Sequence, residues 1–457
     1  MVTCALKEGS SLNCALAETI VNHLKVSKGD ECQAQVWSGF SEKSWQSTLP
    51  WLDLSGLALY FRHRLATTEQ LPLISNSVRQ RLDSCARANG IRAAAMVEEL
   101  KTLNEIFIGA GIDPVVLKGI TLVPDYCPDP AIRTQYDHDL LVQPESADRA
   151  KNALEAAGYR RKNSETEEPA VYYRPNENLR FATDFEALYS QRLGRSIELH
   201  LRLWEQGGER IDINLPENFF ERAVRRRVHD FEILCLSDED ALVFQVLHAF
   251  RHILRNWCRL SVFLEIAQFL NRRASDSDFW RRFVELTDTL RWAPEATAVV
   301  FGLAELLFGG LSPPEVRARQ SSESFAALTL WTRRYGRPSA LTNFRSSKYS
   351  LFLHREFIED PVIWAGICRQ RLFPTNRPHV PPAEVFQRGH SQWGRFSLNA
   401  RHIVRRFGFH VRAALGYAWE YPRWMHYRKT RLSTRQATTE HVPRGVGAAT
   451  RTSVQRN

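Results

Sequence analysis

No apolar run in this sequence reaches the roughly 18–20 residues that a bilayer crossing requires. The nearest, from Ala296 to Leu311, is interrupted by Glu305, so no spanning helix is expected. The opening stretch, MVTCALKEGSSLNCALAETI, has no basic segment ahead of an apolar block and does not read as a secretory leader. A cytoplasmic protein is therefore expected. Eight cysteines are scattered without a C-x-x-C pair or a regular interval, which argues against a zinc knuckle or disulfide framework and for reduced thiols that fill cores. There is no internal repeat at a fixed period, against solenoids and propellers. Nor is there a G-x-x-x-x-G-K-[ST] segment, which excludes Walker-type phosphate binding.

What is present is ordinary globular usage: 457 residues, 44% hydrophobic and 25% charged, enough for about two to four compact units. The net charge of +10 is unevenly placed. From Arg395 onward there are 13 Lys/Arg against only Glu420 and Glu440, so the excess belongs to the tail and the rest of the chain is close to neutral. A basic tail suits an anionic surface, whereas a basic body would suit a nucleic-acid groove.

Four regions are expected: a helical region over 1–84, an α/β core over 85–215, a helical domain over 216–372, and a proline-rich linker with a basic aromatic tail over 373–457. Met96, Leu100, Leu103 and Phe107 recur at helical intervals, with Gly109 and Gly111 at the expected stop. Strands are expected in IDPVVLKGI (112–120), DHDLLVQ (137–143), RFATDFEAL (180–188) and SIELHLRLW (196–204), and an Ala-rich helix from Pro144 to Ala157 ending at Gly158. Ser237 with Asp240 resembles a capping box ahead of a helical apolar stripe. The prolines of FPTNRPHVPP (373–382) mark a boundary, and regular structure is not expected past Thr430.

The chemistry centres on Asp137-His138-Asp139. Residues two apart on a strand share a face, so both carboxylates stand side by side at the strand's head. Their repulsion is relieved by a divalent cation, for which Mg²⁺ with oxygen ligands and substrate phosphates is the natural candidate. Such a clamp holds a triphosphate in line with an attacking hydroxyl. D-x-D pairs are also common on solvated strand ends.

The ordered set VVLKGI (115–120), Arg133, DHDLLV (137–142), AGY (157–159) and IELHLRLWE (197–205) resembles the nucleotidyltransferase superfamily of DNA polymerase β type. More narrowly, it resembles a bacterial branch in which an LKG turn stands in place of a Gly-Ser motif. The resemblance covers about residues 85 to 270. It implies a small mixed α/β (α+β) sheet flanked by helical regions, and metal-dependent transfer of a nucleoside monophosphate from an NTP, ATP among them, to a hydroxyl or phosphate acceptor. It makes Asp137, Asp139 and Glu198 the metal-binding and catalytic carboxylates, and Lys118, Gly119 and Arg133 the residues that steer the triphosphate. Glu198 is one methylene longer than the usual aspartate, Tyr136 replaces a small residue and is expected to narrow access to the metal, and the tryptophan after the strand histidine is delayed to Trp204.

Alternatives stay open at several positions. Arg133 reads equally as a phosphate ligand or as a salt-bridge partner, and His200 as a residue that orients a neighbour. His248 and His252 have chelating i, i+4 spacing, but HAFRH lacks the glutamate of a zincin and also reads as a plain interface helix. Asp184 and Glu186 are reserve carboxylates. The segment 401–429 interleaves arginines with Phe, Tyr and Trp, suiting an anionic lipid surface at the inner membrane face more than nucleic acid, with a core helix as the plain reading. Two further functions fit: a degenerate relative that binds nucleotide without turnover, and a peripheral membrane or scaffold protein acting through its tail.

Overall fold

The computed structural model describes residues 12–26, 34–164, 168–175, 186–191, 193–205, 207–215, 217–319, 325–374 and 392–439. Three helices, α1 (Cys14–His23), α2 (Glu42–Leu54) and α3 (Ala58–Thr67), precede the long α4 (Asn76–Gly109). On α4 the buried residues Val78, Leu82, Cys85, Asn89, Arg92, Met96, Leu100, Leu103 and Phe107 follow one another at three- and four-residue steps, which gives a single inward stripe. The helix starts nine residues before Cys85 and continues through residue 84. It ends in a Schellman motif: Gly111 takes a positive φ of 68°, the Ile112 amide donates to the Phe107 carbonyl and that of Gly111 to Ile108.

The strands form one seven-stranded mixed sheet in the order β3-β4-β5-β2-β1-β7-β6. They are β1 (Val115–Val116), β2 (Asp137–Leu141), β3 (Arg160–Arg161), β4 (Ala170–Tyr173), β5 (Ser196–His200), β6 (Val224–Val228) and β7 (Phe231–Cys235), with α5 (Ala147–Ala156) packed on one side. The mixed α/β architecture with flanking helices is the one expected. On that side, Val116, Leu140, Val142, Ile197, Leu199 and Ile233 meet Leu100, Leu103 and Phe107 of α4 and Leu154 of α5. The opposite side carries Val115, Leu117, Leu141, Leu203 and Leu236 against Phe244. Each fully buried Leu or Phe here contributes roughly 1.5–3 kcal/mol.

Two expectations about strands need correction. Of the segment 180–188, residues 180–185 lie outside the described residues, and Glu186–Tyr189 forms a 3-10 turn. Leu188 and Tyr189 are both buried there, consecutive positions that a half-buried strand would send to opposite faces; the Tyr189 hydroxyl donates to Asp53 Oδ1 at 2.7 Å. Conversely β3, β4 and the β6–β7 hairpin were not expected. The hairpin turns through His229 and Asp230, with Val228 opposite Phe231 and His229 in the left-handed region, so it lacks the Asn-Gly or Asp-Gly signal of a two-residue turn.

After the sheet come α6 (Asp238–Leu254), α7 (Leu260–Arg272), α8 (Ser277–Asp288) and α9 (Ala293–Phe308). Ser237 caps α6, accepting from the Asp240 amide. These helices and the N-terminal ones share one core: Leu16, Trp45 and Phe61 cluster with Phe250, Phe263 and Phe301. The apolar run at 296–308 is the buried α9, with Val299, Val300, Phe301 and Leu307 fully enclosed. Among the described residues no helix is long and apolar enough to cross a membrane. A final helix spans Gln392–Thr439 and so extends past Thr430, where regular structure was not expected. Most of the proline-rich boundary lies outside the described residues.

Candidate active site

The site is made by the parallel pairing of β2 with β5, whose register sets Asp139 beside Glu198 and Leu141 beside His200. Because side chains alternate along a strand, Asp137 and Asp139 on β2 share a face with Glu198 and His200 on β5. The His200 Nε2 lies 3.3 Å from Asp139 Oδ1 and 3.9 Å from Glu198 Oε2. One ligand atom each from Asp139, Glu198 and His200 falls within 4.8 Å of the others, a donor set of two carboxylates and an imidazole that a metal ion can bridge. Asp137 stands at the strand head outside that group of three, yet close enough for its charge to act on Glu198 and Lys118.

Lys118 leaves β1, the other neighbour of β2, and its ammonium meets Asp139 Oδ1 at 2.8 Å. Burial would push the Asp139 carboxyl upward, but Lys118 and His200 overcome it and hold the group well below the usual carboxylate range. Glu198 behaves oppositely. Burial, then the charges of Asp139 and Asp137, push its pKa up to about 7, with Lys118 and His200 offsetting part of the rise. Two acids in one pocket are thus driven apart, one fixed as an anion and one poised to exchange a proton near neutrality.

Gly119 is favoured by its backbone conformation. Its φ is +83°, and a Cβ there would stand 2.5 Å from the Gln135 Nε2. That amide in turn donates to the Asp137 carbonyl at 2.8 Å. The glycine therefore lets the turn after Lys118 press against the segment that leads into β2.

A family model for uncharacterised nucleotidyltransferases matches residues 41–309. The chain belongs to this nucleotidyltransferase family. The matched stretch holds the whole sheet, all of the carboxylates above, and the helices from α2 to α9. No curated protein and no solved structure matches the chain.

Other positions singled out in the sequence have their own partners in the structure. Arg133 is buried against Glu265 of α7, Nε to Oε1 at 3.2 Å, and the Tyr60 hydroxyl donates to the same oxygen at 2.8 Å. Of its two readings, the geometry matches the salt bridge. Tyr136 does not face the metal donors: strand alternation turns it away, and its ring lies 5.4 Å from the Arg92 guanidinium and 4.6 Å from that of Arg259. His138, between the two aspartates, also faces α4, with Nε2 3.3 Å from Glu99 Oε2. Arg195 and Tyr159 share Glu99; burial opposes its ionisation, but His138 and then Arg195 bring it down to about 2. Trp204 is occupied structurally, donating to the Ile211 carbonyl at 3.0 Å under the Arg251 guanidinium. Asp184 lies outside the described residues.

The histidines of α6 lie within reach of the Lys118 charge. His248 and His252 face each other, Nε2 to Nε2 at 3.0 Å, in a ring series with Phe244 and Trp257. Burial and then the Lys118 charge depress both, His252 to about 3. They are neutral imidazoles, one donating to the other. The i, i+4 spacing was the available signal, and His200 was legible as a face-sharing neighbour of Glu198 but not as a ligand.

Proposed function

We propose that the protein is a divalent-metal-dependent nucleotidyltransferase that moves a nucleoside monophosphate from an NTP to a hydroxyl or phosphate acceptor, releasing pyrophosphate. The observation that carries the reading is the convergence of Asp139, Glu198 and His200 on one sheet face beside Lys118, within a chain of nucleotidyltransferase family. The donor set fits a divalent ion, because two carboxylate oxygens and an imidazole nitrogen lie within 4.8 Å of one another. Asp139 and Glu198 would hold it, with Asp137 at the rim and His200 beside Asp139; Mg²⁺, which takes oxygen ligands, is the proposed ion. Bound there, it would neutralise the triphosphate and the departing pyrophosphate.

The chain's own groups do the rest. Glu198, set beside Asp139 by the strand register, is the group assigned to accept the proton of the attacking hydroxyl. Lys118 holds Asp139 anionic and offers its ammonium to a phosphate oxygen when nucleotide enters. Gly119 allows that turn to approach closely. Arg133 supports the segment before Asp137 through Glu265 and is assigned no phosphate contact. A cytoplasmic setting, where NTPs are present, belongs to the same proposal.

The test is incubation of purified protein with labelled NTPs, Mg²⁺ and a panel of hydroxyl and phosphate acceptors, beside Asp139→Asn and Asp137→Ala. Transfer by wild type with loss in Asp139→Asn supports the reading. Transfer that survives Asp139→Asn overturns it, and calorimetric ATP binding with no product for any acceptor favours the degenerate relative.

A further inference from the structure

The helix Gln392–Thr439 is fastened to the body along one side. Trp424 is buried and stacks on Phe352 with centroids 5.5 Å apart, and Tyr417 does so at 4.8 Å. Glu420 pairs with Arg334 at 2.9 Å and Arg428 with Glu356 at 2.9 Å. With about 100° between successive residues, Ala413, Tyr417, Glu420, Trp424 and Arg428 form one stripe, and that stripe is the docked one.

The opposite stripe is apolar and faces water. Val404, Phe407, Leu415 and Trp419 are 69%, 70%, 64% and 72% exposed, with Val411 and Met425 between and beyond them. Spacings of three and four residues place Val404, Phe407, Val411, Leu415 and Trp419 in a single row, with Met425 six residues further on. The helix already has its core contacts, so this second apolar face is not explained by folding, and a contiguous patch of this kind marks an interaction surface. Exposed Arg405, Arg412 and Arg423 run along its flank, and residues 403–430 hold six Lys/Arg against Glu420 alone.

We infer that this face lies on an anionic lipid surface, with the helix axis parallel to the membrane. An apolar row containing Phe, Leu and Trp, bordered by arginines, suits the boundary between acyl chains and headgroups. A spanning orientation is excluded, since the helix is not apolar enough to cross. A second copy is the other natural occupant of such a row. Charge disfavours it, because joining two identical stripes brings their arginine rows together, whereas acidic headgroups neutralise them.

The full chain is sedimented with vesicles of phosphatidylcholine alone or containing about 30% phosphatidylserine. It should co-sediment with the second only, and less as salt rises from ~0.1 M to ~1 M. The double variant Phe407→Glu/Trp419→Glu should bind at least ~10-fold more weakly with an unchanged circular dichroism spectrum, because both side chains lie outside the packed body. Absence of sedimentation with anionic vesicles, or equal binding by the double variant, overturns the inference. So does self-association that the variant abolishes while no vesicle is bound. NTP transfer in solution should be unaffected by the double variant, so the two proposals fail separately.

Discussion

Replacing Glu198 by Gln keeps the side chain's shape and removes its charge, and the outcome in metal-free protein follows from the site's electrostatics. The native carboxyl is raised from 4.5 to about 7, by burial first and by Asp139 and Asp137 next. Between those values the folded protein holds a proton that the unfolded chain has released, so stability falls as pH rises through that window. A shift of this size corresponds to about 3 kcal/mol. The side chain is 30% exposed, and solvent screening reduces the expected effect to roughly 1–2 kcal/mol. Glu198→Gln escapes the loss, and should therefore be more stable than wild type by that amount at about pH 8 and indistinguishable from it below about pH 4.5. Urea unfolding in the presence of a chelator measures this. Added Mg²⁺ should invert the order, since the ion stabilises the state that binds it and the variant binds it less well. A variant that is less stable than wild type at the higher pH without metal would refute the reasoning, because Glu198 would then not be sharing a buried space with the aspartates.

Lys118→Met should destabilise the metal-free protein by roughly 3 kcal/mol near neutrality, because it leaves the buried Asp139 without its ammonium; the loss should shrink in acid as Asp139 takes up a proton, which urea curves at two pH values would show. Gly119→Ala should cost about 2 kcal/mol, combining a positive φ with a methyl pressed on Gln135. Thermal melts of Gly119→Ala/Gln135→Ala should recover part of this and not all, since the strained φ remains. Arg133→Met should cost roughly 3 kcal/mol by stranding Glu265, and a double-mutant cycle with Glu265→Gln should show a coupling above about 1 kcal/mol.

Much of the site was legible because its chemistry lies in short alternating strands. The five residues of β2 and of β5 carry their acids and histidine at period two, which fixes faces without knowledge of pairing. What a sequence does not contain is the register between strands far apart in the chain, and it is register that sets Asp139 rather than Asp137 beside Glu198. The same holds for Arg133, whose partner Glu265 sits on a helix beyond the sheet, and for Tyr136, whose partners Arg92 and Arg259 lie far from it in the chain. Lys118 and Gly119 were legible as a pair from the LKG turn, but the Gln135 amide packed against Gly119 was not. The β6–β7 hairpin was missed for a local reason: a His-Asp turn carries little turn signal. The long α4 and the capped α6 were clear, as strongly periodic helices are, although α4 begins well before its sharpest stripe.

The central claim is that Asp139, Glu198 and His200 form one metal and nucleotide centre. A crystal of the protein grown with Mn²⁺ and a non-hydrolysable NTP analogue, measured for anomalous scattering, tests it most directly. The account predicts an anomalous peak in contact with Asp139 and Glu198, adjoining the triphosphate. A peak elsewhere, with Lys118 still closed on Asp139 and the nucleotide distant from both strands, would contradict it.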